Sequence, residues 1–364
     1  MADIVFRVDA NSEIATGHFM RCLSIADALY RHNFKILFIA QTLSDSLLGI
    51  LKDRGYKFVA INTLSGMGIH SFKKEINNIW SQQAQEKDAK ETIKILNQKI
   101  CKMMFVDHYF LSQPWEKTIR PYAEKLIVID DLADRIHHCD ILMDDNLMPG
   151  MKNRYEGMVD GECRLLLGPQ FSVFREEFLR YRDIGIKRNK PAKNILISFG
   201  GVDADNLTEF VIKSLLFTGI EDKKIEVVMG GSNPNARRIR NQYIHKNINF
   251  HVQTDKMALL MANADLAIGA AGHTAYEYAA MSLPSILIPM SALQASFSKE
   301  MDAYGATITF DLKESSSLEG VGDFIDQIAD DVVALERMSQ ASRGLIDGCG
   351  VERLTNILID HHEH

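Results

Sequence analysis

The stretch IVFRVDANSEIATGHFMRCLSIADAL, residues 4–29, decides how the chain is read. It holds a run of strand-forming residues, a polar loop, and then Phe19, Cys22, Leu23, Ala26 and Leu29 at helical spacing. That is the opening of a strand-helix unit, and the same alternation continues downstream. Strands are expected at 4–10, 35–41, 57–61, 102–109, 125–131, 141–146 and 164–169, and a second series at 194–201, 225–231, 248–253, 266–272, 285–290 and 306–310. Short aliphatic runs separated by longer helical segments favour parallel sheets covered by helices. The expected fold is therefore α/β, with two doubly wound Rossmann-like domains facing a cleft. The charged segment 174–193 has few apolar anchors after Phe178 and ends near a proline, which makes it the expected junction. This gives an N-terminal domain over 1–175, a C-terminal domain over 190–345, and a final helix and tail over 346–364. Residues 61–78 read as a variable loop, and residues 351–363 as a last helix.

Composition agrees with two ordinary cores: 364 residues, 46% hydrophobic and 24% charged. A net charge of −7 supplies no basic field for nucleic acid and disfavours a membrane-surface role. Cys22, Cys101, Cys139, Cys163 and Cys349 contain no C-x-x-C pair, as expected of reduced thiols in a cytoplasmic protein. No signal-like leader and no apolar run approaching the roughly 18 residues of a membrane span is read. The adjacent His137 and His138 point different ways on any regular backbone, which disfavours a metal site, and His361, His362 and His364 read as a solvated tail. There is no H-E-x-x-H, P-loop, G-x-S-x-G or G-x-G-x-x-G motif, so metal hydrolases, kinases, esterases and dinucleotide enzymes all lose ground.

Ligands of doubly wound folds bind at the carboxyl ends of the strands. His18 then falls in the first turn of a helix facing that edge. Free amide donors at a helix start favour an anion over an imidazolium, so His18 is expected to be able to accept a proton as a general base. The plainer alternative is a capping histidine. Asp107, His108 and Tyr109 close a strand at the same edge, and Gly200-Gly201, Gly230-Gly231 and Gly269 to Gly272 could let backbone amides approach a diphosphate. Each glycine pair is also compatible with an ordinary turn. Glu277, in the helix starting near His273, could accept from a ribose diol.

Taken in order, FRVDANSEIATGHFMRCLSIADAL, FVDHYFLSQPWEKTIRPYAEKLIVIDDLADRIHHCDILMDDN, LLLGPQFSVFREEF, ISFGGVDADNLT and ADLAIGAAGHTAYEYAAMSLPSILIPM resemble the UDP-2,4-diacetamido-2,4,6-trideoxy-β-L-altropyranose hydrolase family of pseudaminic acid biosynthesis. The resemblance implies a GT-B fold and release of UDP from an activated deoxy amino sugar by inverting C–O cleavage at the anomeric carbon, with no metal or cofactor required. It makes His18, in a G-H-x-x-R motif with Gly17 and Arg21, the water-activating base. Tyr109 would help place the sugar, Gly272 and Glu277 would hold the nucleotide, and Gln294 falls where the family often has a glutamine. Asp107, Gly200, Gly201 and His273 complete the expected substrate-binding set, although His273 and Tyr276 depart from the residues frequent at their positions. The expected partner is a UDP-activated deoxy amino sugar, with no nucleic acid or membrane, on a monomer or weak homo-oligomer. The alternatives are a glycosyltransferase of the same fold, a hydrolysing UDP-sugar 2-epimerase, and a non-catalytic nucleotide-sugar sensor.

Overall fold

The computed structural model describes residues 2–10, 17–41, 43–61, 80–182, 190–219, 222–245, 247–312 and 317–359. The loop expected before Gly17, the variable loop after Ile61 and the histidine tail therefore lie outside the described residues. The chain divides into two compact units, one of Met1–Asn146, Gly150–Arg175 and Cys349–His364, the other of Leu147–Pro149 and Glu176–Gly348.

The first unit is built on strands β1 (Ile4–Val8), β2 (Ile36–Ala40), β3 (Lys57–Ala60), β4 (Cys101–Asp107), β5 (Ala123–Ile129), β6 (Ile141–Asp144) and β7 (Arg164–Leu167). Among the described residues they form one parallel sheet in the order β3-β2-β1-β4-β5-β6-β7. Burial on both faces explains the continuous aliphatic runs: every residue of β1 and β2 is buried, whereas edge strand β3 is largely exposed. Phe6 stacks between Phe38 and Phe105, with centroids 4.9 and 4.7 Å away, so three adjacent strands share one aromatic layer. The Gly17–Tyr30 helix buries Phe19, Cys22, Leu23, Ala26 and Leu29, the positions whose spacing marks it in the sequence.

The second unit repeats the plan with β8 (Asn194–Ser198), β9 (Lys224–Met229), β10 (Ile248–Val252), β11 (Leu266–Ala270), β12 (Ser285–Ile288) and β13 (Ile308–Thr309). These are parallel in the order β10-β9-β8-β11-β12-β13. Among the described residues each of the thirteen strands falls on an expected run; most are shorter than expected, while β4, β5 and β9 begin one or two residues earlier. Inside the expected junction, Glu176–Arg182 is a helix of the second unit with Phe178 buried. The last helix, Gly350–Ile359, packs in the first unit, where Leu354 and Leu358 join the core beside Phe19 and Leu23. Its first residue must be glycine-sized, because a Cβ on Gly350 would lie 2.2 Å from the Ser172 carbonyl oxygen. No helix among the described residues is long and apolar enough to cross a membrane.

One residue breaks the apolar rule of β1. Arg7 is completely buried, with Nε and Nη2 on Asp88 at 3.1 and 2.9 Å and Nη1 on Asp9 at 2.8 Å. Burial opposes its charge, but the two carboxylates outweigh that and hold its proton more firmly than usual. Trp115 also donates to Asp88, at 2.8 Å, so the Gln82–Ile95 helix is fastened to the central strand through ions. Replacing Arg7 by leucine would strand two buried carboxylates. The expected cost is about 3–5 kcal/mol, read as a lowered urea midpoint; a loss under about 1 kcal/mol would show that the pair contributes little.

Candidate functional site

In an open parallel sheet, the two strands whose connections leave in opposite directions part at their carboxyl ends and open a ligand crevice. In the first unit those strands are β1 and β4. His18 comes from the helix that follows β1, and Asp107 is the last residue of β4. They are 89 positions apart and meet at 2.6 Å, His18 Nδ1 to Asp107 Oδ1. Arg21 lies one helical turn after His18 on the same face. It grips Asp107 through both oxygens, Nε to Oδ2 and Nη2 to Oδ1, each at 2.9 Å. Cys22 brings its thiol within 3.6 Å of Oδ2.

Chemical consequences follow from this wiring. A carboxylate only accepts, so Nδ1 carries a ring proton toward Asp107, with Arg21 Nη2 also 3.2 Å from that nitrogen, and it is Nε2 that holds the lone pair whenever the ring is neutral. The tautomer is thus assigned from the hydrogen-bond network. Burial pushes the Asp107 carboxyl up, but Arg21 and His18 together hold it well below the usual carboxylate range. It is a fixed anion, and its contribution to stability is present above the ordinary carboxylate pKa and lost only as acid reaches its lowered one. Tyr109 packs edge-on against His18, with centroids 4.4 Å apart, and keeps about a third of its surface exposed, at 36%. Burial and the nearby Asp131 push its phenol up, so it stays protonated.

His108, next to Asp107, faces the other way. Its Nε2 lies 2.8 Å from Asp9 Oδ2, and its Nδ1 accepts from the Phe110 N–H at 3.1 Å, so both ring nitrogens are spent on structure. His137 and His138 take different carboxylates, Glu116 at 2.7 Å and Asp160. Among the described residues, no group of three or more His, Cys, Asp or Glu is arranged to hold a metal ion.

Two acidic residues beside Arg21 escape a reading of the sequence. Asp131 Oδ2 lies 3.8 Å from Arg21 Nη2, and Asp145 Oδ1 lies 3.6 Å from Arg21 Nη1. Their signal was the doubled carboxylates in VIDD and MDDN, each just past a strand's carboxyl end. The other member of each doublet faces the interior, since Asp130 Oδ2 and Asp144 Oδ2 each lie 2.9 Å from the Tyr155 hydroxyl, whose one proton they share. Asp107, expected among the substrate-binding residues, has both oxygens engaged by His18, Arg21 and Cys22.

In the second unit the corresponding parting is between β8 and β11. Gly200 and Gly201 follow β8, and Gly200 has φ +80°, a conformation that suits glycine. Gly230 is required for a different reason: a Cβ there would sit 2.3 Å from the Gly201 carbonyl oxygen. After β11, Gly272 precedes the His273–Ala280 helix, and a Cβ on Gly272 would meet nothing within 4 Å, so open space surrounds it. His273 is exposed and Glu277 half-buried on that helix. Tyr276 is buried instead, packed against Phe297 at 5.0 Å, and its hydroxyl accepts the Leu147 N–H. Gln294 works as a helix cap: its Oε1 accepts the Met290 N–H at 2.8 Å while its own N–H donates to the Ser291 hydroxyl at 3.2 Å. Its side-chain NH₂ and the second lone pair of Oε1 remain for a ligand.

Residues 194–348 match the glycosyltransferase family 28 C-terminal domain. Over 267 residues the chain is 26% identical to the UDP-2,4-diacetamido-2,4,6-trideoxy-β-L-altropyranose hydrolase of Campylobacter jejuni, covering 73% of this chain and 83% of that protein. It is 30% identical over 209 residues to the spore coat polysaccharide biosynthesis protein SpsG of Bacillus subtilis, covering 56% of this chain and 61% of that one. An uncharacterized protein of Methanocaldococcus jannaschii, MJ1062, is 26% identical over 298 residues, or 80% of this chain. The chain spans only 56% and 61% of the lengths of the archaeal and Bacillus relatives. Among solved structures, MurG of Acinetobacter baumannii superposes with a TM-score of 0.66 at 14% identity, covering 98% of this chain and 99% of MurG. At that identity the likeness concerns the fold, and it agrees with the two Rossmann-like units of GT-B type expected from the sequence. The resemblance carried by the five quoted segments is borne out by the Campylobacter match.

Proposed function

We propose that this chain, a relative of the UDP-2,4-diacetamido-2,4,6-trideoxy-β-L-altropyranose hydrolase, releases UDP from a UDP-linked 2,4-diacetamido-2,4,6-trideoxy sugar by hydrolysis at the anomeric carbon. The observation that carries this reading is the His18–Asp107–Arg21 arrangement, which leaves one basic nitrogen beside Tyr109. A water on the sugar face opposite UDP gives its proton to His18 Nε2 while its oxygen bonds to the anomeric carbon. The carbon–oxygen bond to the diphosphate breaks, its electron pair leaves with UDP, and the configuration inverts. Asp107 holds the Nδ1–H and offsets the imidazolium charge as it forms, while Arg21 keeps Asp107 in place. A general base is worth typically about 10²–10⁴-fold, so positioning and stabilisation of the departing diphosphate supply the rest. For the nucleotide we propose the second unit, with backbone amides at Gly200, Gly201 and Gly272 toward the diphosphate and Glu277 toward the ribose.

Transfer to an acceptor hydroxyl is the second reading, favoured by the family 28 match over 194–348. It would use the same base on a different nucleophile. Mixing the protein with UDP-2,4-diacetamido-2,4,6-trideoxy sugars in plain buffer separates the two. Stoichiometric UDP and free sugar with no acceptor present are expected. UDP release that begins only when an acceptor alcohol is added would assign transfer, and tight binding without release would assign a sensor.

A further inference from the structure

The first unit carries more negative charge beside His18 than that mechanism uses. Arg21 is one cation facing three carboxylates, and its two short bonds both go to Asp107. Asp131 and Asp145 stand at 3.8 and 3.6 Å, close enough to feel its charge but receiving no hydrogen bond from it. The Asp145 side chain is only 5% exposed, and its Oδ2 is buried with no hydrogen-bond partner among the described residues. Asp131 Oδ1 is in the same condition. Orphaned carboxylate oxygens are uncommon in native proteins and need a reason.

A role as Arg21's anchor does not supply one. An anchoring carboxylate would sit at hydrogen-bond distance, as Asp107 does, and Asp145 Oδ2 would remain unspent. A phosphate is excluded from this spot by like charge. What two uncompensated acceptors do fit is a neutral ligand rich in N–H and O–H donors that gains positive charge as it reacts. A sugar losing a diphosphate from its anomeric carbon has both properties, because its transition state is oxocarbenium-like.

We infer that Asp145, with Asp131 beside it, accepts hydrogen bonds from N–H or O–H groups of the sugar ring processed at His18, and so helps select which sugar is cleaved. The inference rests on the proposed hydrolysis and adds the residues that read the sugar. Its test is a coupling measurement on wild type and Asp145→Asn with the UDP-diacetamido sugar and analogues in which one donor group, the 3-hydroxyl or the 4-acetamido, is replaced by hydrogen. For the wild type, one analogue should cost about 10- to 100-fold in kcat/KM. Asp145→Asn should lose a similar factor on the full substrate and nothing further on that analogue, while inhibition by UDP alone stays within about twofold. Full activity in the variant, additive losses on every analogue, or a parallel weakening of UDP would overturn the inference. Should the variant not fold, Asp131→Asn is carried through the same panel with the same criteria. A wild type that releases no UDP overturns the hydrolysis reading and this inference with it; a wild type that hydrolyses without coupling at either residue overturns the inference alone.

Discussion

His18→Asn is expected to lower turnover by about 10²- to 10⁴-fold while leaving UDP affinity within about threefold. Asparagine can still occupy the space near Asp107, but it has no nitrogen lone pair able to take a proton from water. Glu277→Ala is expected to do the opposite, weakening UDP binding with a smaller effect on the bond-breaking step, since Glu277 lies on the His273–Ala280 helix of the second unit. Titration calorimetry with UDP and single-turnover kinetics on both variants check the pair. The reverse pattern would mean that the base and the nucleotide have been assigned to the wrong units.

Asp107→Asn is expected to be nearly as damaging, through a different route. The wild-type carboxylate accepts from His18 and from two nitrogens of Arg21 at once. An amide can offer one oxygen, and turns an N–H₂ toward donors. His18 would then be free to place its proton on Nε2, the nitrogen that must be bare, so a kcat loss of about 10²–10⁴-fold with little change in KM is expected. Arg21 loses its bidentate partner, which adds up to about 3–5 kcal/mol of destabilisation. A pH signature separates the two effects. Asp107 is held below the usual carboxylate range in the folded protein, so the stability it contributes is present above the ordinary value near 3.9 and disappears as pH falls through the lowered one. Urea midpoints of the variant should therefore fall less steeply than those of the wild type below about pH 4. Parallel curves would show that Asp107 carries no such linkage.

Which parts of this arrangement were legible in the sequence follows from how local each cause is. β1, β2 and their counterparts in the second unit are buried on both faces, so each appears as a short, largely apolar run that no exposed helix would carry. The Gly17–Tyr30 helix is legible because its buried positions recur at helical spacing. Arg7 is the local exception: inside IVFRV it looks like a strand's solvent side, and besides the nearby Asp9 its burial depends on Asp88, 81 residues away. The contact of His18 with Asp107 is equally invisible, because it depends on β1 and β4 being neighbours. The Gly350–Ile359 helix shows the same limit, since its apolar stripe announces a helix but not which unit will bury it. Gln294 shows the converse, because its bonds with Met290 and Ser291 are local and the S-x-x-Q spacing of residues 291–294 announces them.

Attack at carbon is the central claim of the proposed hydrolysis: His18 is held by Asp107, and the carboxylates of Asp131 and Asp145 stand against the neighbouring Arg21, a setting that suits a carbon becoming positive better than a phosphate. Turnover in ¹⁸O-water, sampled early to limit exchange at the reducing carbon and read by mass spectrometry of both products, tests this most directly. The expected result is label on the anomeric oxygen of the released sugar and none in UDP. Label in UDP would place the attack at phosphorus and contradict both the bond cleaved and the role given to His18.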